Sequence, residues 1–282
     1  VLHVDLSTKA VTKVLDEPLT ALSGVKWDPD QSALFVAATL SGKGFVYFLE
    51  PDDPNPPPAA AGWRRRRLQR AAAAPGGGPG GRRGPPAGAM GMGEVGRAPW
   101  RVKRRVALQL ARLPPWYIND VTLTPTAAVF TDSFASRAFS VPRFFGPDEV
   151  PKATAYDLGP RFAVLPGQFK ANGVAALPRA PGGGGGGGGG DDVLIANLHE
   201  GNLYHVSLRA PQAPAAGAGA GAAKGAGGWR LLGGAPAPKA AVAQLALPAI
   251  KGRRLLLDGL WVDDDGTTVY AADNYHNRVV RL

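Results

Sequence analysis

Along most of the chain, short runs of alternating apolar and polar residues recur as one phrase. In its last occurrence an apolar strand over 258–262 is followed by an acidic turn, then by a second apolar strand ending at the polar Asp273. An alternating strand over 278–282 completes it. The same phrase starts at Ser23, Asn119 and Asn172, with second strands over 33–39, 128–132 and 192–197 and third strands over 44–49, 137–141 and 201–208. Each run is short, rich in β-branched or aromatic residues, and bounded by Gly, Pro, Asp or Asn, as strands are. Fourth strands are expected over 102–110, 153–158 and 229–232, and residues 1–6 and 10–15 read as the last two strands of a preceding unit. Four-stranded antiparallel units in series predict an all-β chain, a β-propeller over residues 1–282 as one domain, in which circular closure hides the sheet edges. Solenoid repeats, the competing architecture, are usually shorter or helical.

Three segments break the period. Residues 51–96 are rich in Pro, Ala, Gly and Arg; 181–190 contains nine consecutive glycines; 210–228 is an Ala/Gly/Pro run. None spaces apolar groups so as to offset the entropy of ordering, so all three are predicted to be disordered insertions, each at a loop. They also explain the charge. The chain carries +10, yet twelve Lys and Arg and a single acid, Glu94, lie between Trp63 and Arg105. The remainder holds 20 basic and 21 acidic residues and is almost neutral. A flexible arginine arm gains affinity for nucleic acid by counterion release. Its only aromatics are Trp63 and Trp100, however, which is not the interleaving of a single-strand binder, and the plain reading is charge left in solvent. Nucleic acid is therefore not an expected partner.

The absence of cysteine excludes disulfides, zinc–cysteine sites and thiol nucleophiles. No stretch approaches the roughly 18 consecutive apolar residues of a membrane-spanning helix. The chain opens at Val1 already in strand-like alternation, so it reads as an internal fragment from which no targeting signal can be taken.

Most candidate chemistry dissolves on inspection. The glycine run lacks the GxxxxGK[ST] pattern and opens no helix, so it is not a phosphate loop. His3, His199, His205 and His276 lie in or beside third strands without HxxxH or HExxH spacing, which suits half-exposed strand residues. No serine has a GxSxG context, and Ser133 beside Asp132 is not a triad. The informative residues open the units: Ser23, Asn119, Asn172 and Asp258. Innermost propeller strands line a central channel, so equivalent positions converge on one ring. Two amide oxygens and a carboxylate aimed at one point suit Ca²⁺ or a similar divalent cation. Asx residues at strand starts also cap turns, and that reading stands beside the first.

At these same residues the chain resembles the senescence-marker/gluconolactonase/luciferin-regenerating-enzyme group of six-bladed β-propellers. The matching phrases are 117–125, 169–174 and 257–262, which carry Asn119-Asp120, Ala171-Asn172-Gly173 and Asp258-Gly259 in that order. Their spacing is comparable once the insertions are removed. The repeats are also similar to NHL repeats, most closely over 258–282. The resemblance implies six blades, about five of them represented, with Asn172 and Asp258 as metal ligands and Asn119 contributing to metal or substrate contacts. It implies a divalent cation, expected to be Ca²⁺, and hydrolysis of lactones or related esters with Asp258 as the candidate catalytic base. The family's metal-binding glutamate opens the first blade and would precede Val1, and a closing blade would follow Leu282, so the chain is expected to be incomplete at both ends. The leading expectation is a metal-dependent lactonase- or esterase-like hydrolase of a small molecule. The alternative is a non-catalytic NHL-like scaffold whose basic arm helps to capture an acidic partner. Propellers host both.

Overall fold

The computed structural model describes residues 2–4, 11–15, 21–51, 96–97, 100–112, 114–165, 168–178, 191–208, 237–245, 247, 255–263 and 266–282. Among them are eighteen strands and two 3-10 turns, and no α-helix. In chain order the strands are β1 (Leu2–Val4), β2 (Val11–Lys13), β3 (Leu22–Asp28), β4 (Ala33–Ala38), β5 (Lys43–Pro51), β6 (Gly96–Arg97), β7 (Trp100–Gln109), β8 (Ile118–Leu123) and β9 (Ala127–Asp132). They continue with β10 (Arg137–Pro142), β11 (Thr154–Asp157), β12 (Ala171–Ala176), β13 (Asp191–Asn197), β14 (Asn202–Leu208), β15 (Ala241–Gln244), β16 (Leu257–Val262), β17 (Val269–Asp273) and β18 (Arg278–Arg281).

The chain divides into two compact units. The first, Val1–Pro18 with Leu49–Arg104, holds a small sheet in which β1 pairs antiparallel with β2 and β6 pairs parallel with β2. Within it Glu50 accepts from Arg101 at 2.8 Å. The second, Leu19–Phe48 with Arg105–Leu282, holds a series of antiparallel sheets: β3-β4-β5-β7 (with β5 as far as Phe48 and β7 from Arg105), β8-β9-β10-β11, β12-β13-β14-β15 and β16-β17-β18. We refer to these as the first to fourth sheets. Their opening strands begin at Leu22, Ile118, Ala171 and Leu257, one residue ahead of each position expected from the repeat.

Central strands explain why the apolar runs are continuous where simple alternation would suggest one wet face. All six residues of β9 are buried. Phe130 joins Phe35, Val46, Leu108, Ile118 and Phe139 in the core between the first and second sheets. Its neighbour Val129 points the other way, into a core with Val174, Ile195 and Tyr204 of the third sheet. The third and fourth sheets share Ala196, Leu203, Leu257, Ala271 and Val280. Successive side chains of a strand face opposite sides, so a sheet covered on both faces needs apolar residues at both parities. Each fully buried large side chain contributes roughly 1.5–3 kcal/mol.

Two fourth strands, β7 and β11, lie where the sequence places them. In the third sheet the outer strand is β15, and residues 229–232, expected in that role, lie outside the described residues. Ala-rich and largely exposed, β15 has little intrinsic strand character; its register against β14, from Tyr204↔Gln244 to Ser207↔Ala241, makes it a strand. The insertions 181–190 and 210–228, and 52–95 of the first, also lie outside the described residues.

A clasp ties the first sheet to the second at the far end of β3. The Arg143 guanidinium, just after β10, donates to both oxygens of the fully buried Asp28 at 2.7 and 2.5 Å. Burial works against the Asp28 charge, but the bonds from Arg143, Gln31 and the Asp30 N–H outweigh it and hold the carboxyl below its usual range. A depressed folded-state pKa adds stability above the unfolded value and loses it as pH falls through the folded one. Arg143→Ala should therefore cost about 3 kcal/mol at neutral pH by leaving a buried carboxylate unpaired. In urea denaturation the deficit should shrink below about pH 4, where Asp28 is neutralised in the unfolded chain and then in the folded one.

Candidate functional site

The opening strand of each sheet breaks register at one dipeptide. The irregularities fall between Leu22 and Val25, Ile118 and Val121, Ala171 and Val174, and Leu257 and Leu260. The positions singled out in the sequence, Ser23, Asn119, Asn172 and Asp258, thus each open a bulge, a device that re-aims side chains at a sheet edge. In the first three sheets the second bulge residue faces the next sheet. A Cβ on Gly173 would sit 1.6 Å from the Asp258 carbonyl oxygen, and one on Gly24 would sit 2.6 Å from the Asp120 Cα. Main chains therefore approach closely at these two junctions.

At the junction between the second and third sheets, the second bulge residue is Asp120. Its carboxylate accepts from the Val121 N–H at 2.8 Å and, across the junction, from the Val174 N–H at 3.0 Å. Three more side chains repeat the stitch. Thr122 Oγ1 accepts from the Ala176 N–H at 3.1 Å, Thr131 Oγ1 donates to the Asn172 carbonyl at 2.6 Å, and Ser133 Oγ donates to the Ala171 carbonyl at 2.7 Å. Burial is the largest influence on Asp120 and raises its pKa; the negative charge of Asp258 adds to this, against the two N–H bonds and Lys26.

Asn119 and Asn172 touch. The Asn119 amide nitrogen donates to Asn172 Oδ1 and, at 3.0 Å, to Ser133 Oγ. The polarity is dictated by chemistry: the Ser133 hydroxyl proton is spent on Ala171, so toward Asn119 it can only accept. Ser23 Oγ donates to the Ile118 carbonyl at 3.1 Å and also lies against that of Asn119. Asp258 reaches the group through its main chain at Gly173, while one of its carboxylate oxygens accepts from Asn274 Nδ2. Asn172 is buried, and Asn119 and Asp258 are half-buried. The structure thus joins Asn119 to Asn172 by side chains and Asp258 to Asn172-Gly173 by backbone.

The set is oxygen-rich, which suits a hard cation, and Asn172 and Asp258 come from adjacent strands. Asn172 Oδ1 already accepts a hydrogen bond, so a cation there requires the Asn119 amide to turn its oxygen inward. Among the described residues no three His, Cys, Asp or Glu side chains are grouped to hold a metal. A cavity of about 340 Å³ opens beside Asp120, bordered by Lys26, Val174, Leu260, Trp261 and Tyr270; Asn119, Asn172 and Asp258 do not line it.

The strand-ending carboxylates have a structural role. Asp132 and Asp273, both fully buried, stand opposite Arg137 and Arg278 in the same register and pair with them at 3.0 Å. Burial opposes the charge of Asp273, and bonds from His276 and Arg278 lower its pKa nonetheless. His276 is therefore part of a turn, His205 lies 3.6 Å from Asp192, and His199 meets Gln168 at 2.9 Å; the His3 side chain lies outside the described residues. Sequence reasoning passed over Asp120, although it stands where Gly24, Gly173 and Gly259 stand in the other units. It weighed Ser133 only as a nucleophile.

No family model matches the chain, and no curated protein matches it. Among solved structures the chain is similar to hydrazine synthase from Kuenenia stuttgartiensis, at 11% identity and a TM-score of 0.37, over 100% of this chain and 69% of that one.

The close approach of β12 and β16 predicts an asymmetric glycine scan. Gly173→Ala should destabilise by about 3 kcal/mol through overpacking against main chain. Gly259→Ala, whose Cβ meets nothing within 4 Å, should stay within about 0.5 kcal/mol of the parent in the same denaturation assay.

Proposed function

We propose that the chain is part of a six-bladed β-propeller and that its inner strands carry a divalent-cation-assisted hydrolase site for a small lactone or ester. The observation that supports this reading is the meeting of Asn119 and Asn172, with Asp258 on the adjoining strand, all at equivalent bulges of successive sheets. Four sheets packed in chain order support the propeller part of it. Asn172 and Asp258 would hold the cation and Asn119 would add an amide oxygen; when bound, such an ion polarises an ester carbonyl. The chain's own groups then have plain tasks. Asn274 engages one oxygen of Asp258 and orients the carboxylate. The other oxygen takes a proton from the attacking water as the water oxygen bonds to the carbonyl carbon. The acyl C–O bond breaks as the proton passes to the departing alkoxide.

One observation favours a second reading, a non-catalytic NHL-like scaffold. Ser23, Asn119, Asn172 and Asp258 all carry hydrogen bonds that hold strands and turns in place, which is a sufficient structural reason for their being polar. The two readings part on calcium. Under the hydrolase reading, CaCl₂ raises the melting temperature of the parent, equivalent to about 2.7 kcal/mol at a hundred times Kd, and leaves Asp258→Ala unchanged. Equal shifts in both proteins, or none in either, would select the scaffold.

A further inference from the structure

Three aromatic rings stand together where the polar bulges begin. Tyr117 precedes β8, Phe134 lies in the turn after β9, and Phe169 precedes β12. Their centroids are 5.1 Å (Tyr117–Phe134), 5.1 Å (Tyr117–Phe169) and 4.9 Å (Phe134–Phe169) apart. Each is half-buried, and none belongs to the described cores between sheets. They are a surface cluster, and they are pinned.

The pins are the buried Asp132–Arg137 pair and Ser133, which also belongs to the polar site. One oxygen of the buried Asp132 accepts the N–H of Tyr117 at 2.9 Å and of Phe134 at 3.1 Å, and Arg137 neutralises the other at 3.0 Å. The Ser133 N–H donates to the Tyr117 carbonyl at 2.9 Å, and the Lys170 N–H donates to the Ser133 carbonyl at 3.1 Å. Ser133 is also the residue that orients the Asn119 amide. Each ring is thus within three residues of Asn119, Ser133 or Asn172, on backbone fixed by hydrogen bonds. The place held by Phe134, two residues beyond the polar end of a second strand, carries another ring in the next two sheets, His199 and Tyr275, the latter 74% exposed.

Half-exposed aromatic surface beside a polar site offers about 25 cal/mol per Å² to any apolar group that covers it. We propose that Tyr117, Phe134 and Phe169 form an apolar subsite for the ring or alkyl part of the substrate whose carbonyl lies at Asn119 and Asn172. This rests on the hydrolase reading and narrows its substrate class to lactones or esters bearing an aromatic or alkyl group. A polyhydroxylated lactone would bring several hydroxyls against three rings that between them offer one hydroxyl, that of Tyr117.

The test uses the full chain with calcium and a series of γ-lactones of increasing alkyl length, with 2-phenylethyl acetate against ethyl acetate, two esters whose leaving alkoxides are of similar basicity. The expected result is a rise in kcat/KM of about tenfold or more along each series. Phe169→Ala and, as a second variant on a surface turn, Phe134→Ala should flatten that rise while leaving the rate on the shortest lactone and the melting temperature near the parent's. Asp258→Ala should abolish every rate. A parallel calorimetric titration uses a phenyl-substituted lactam, which is not hydrolysed. If no substrate turns over, yet Phe169→Ala weakens lactam binding about tenfold while Asp258→Ala does not, the subsite stands and the hydrolase reading falls. Rates and affinities that ignore the apolar group in the parent, or that keep their dependence in both ring variants, overturn the subsite.

Discussion

Strand β12 pairs with β13 along one edge, and along the other it faces side chains instead of a strand. An inner edge presents a row of N–H and C=O groups that must be satisfied once neighbouring sheets exclude water from it. Asp120, Thr122, Thr131 and Ser133 of the preceding sheet do this, two by accepting from the Val174 and Ala176 N–H groups and two by donating to the Ala171 and Asn172 carbonyls. The apolar cores press the sheets together, but dispersion and water exclusion have no preference for register. The polar seam supplies it.

Much of the remaining architecture follows. The bulges turn Asn119 and Asn172 toward one another. Main chains can come this close because Gly24 and Gly173 have no Cβ at the crossing points. Asp132 and Asp273 are buried because each must lock the corner beyond its strand, and each needs its arginine because a buried lone carboxylate is costly. The chemistry proposed for the site would use groups this scaffold already places, so under that proposal structural and catalytic duties would fall on the same side chains.

The repeating phrase made the inner strands legible to within one residue, because their Asx or Ser starts and apolar bodies recur with contrast. Contrast is also what failed. An Ala-rich outer strand such as β15 has no pattern of its own, and the apolar residues at 229–232 drew the expectation away from it. Asp120 reads as an ordinary strand polar residue until Gly24 and the Val174 N–H are seen beside it. Asp132 and Asp273 were legible as strand ends but not as buried ion pairs, since burial depends on the neighbouring turn. Likewise the sequence placed Asn119, Asn172 and Asp258 at equivalent positions, yet which of their oxygens face which donors depends on Ser133 and Asn274, fourteen and sixteen residues further along.

Hydrogen exchange at two amides tests the seam most directly. Val174 and Ala176 donate away from β13, into Asp120 and Thr122. The account predicts that both amides exchange well below the rate of an unstructured peptide, as strongly protected as the ladder amides of β13. Exchange of both at the free-peptide rate, with β13 still protected, would contradict it.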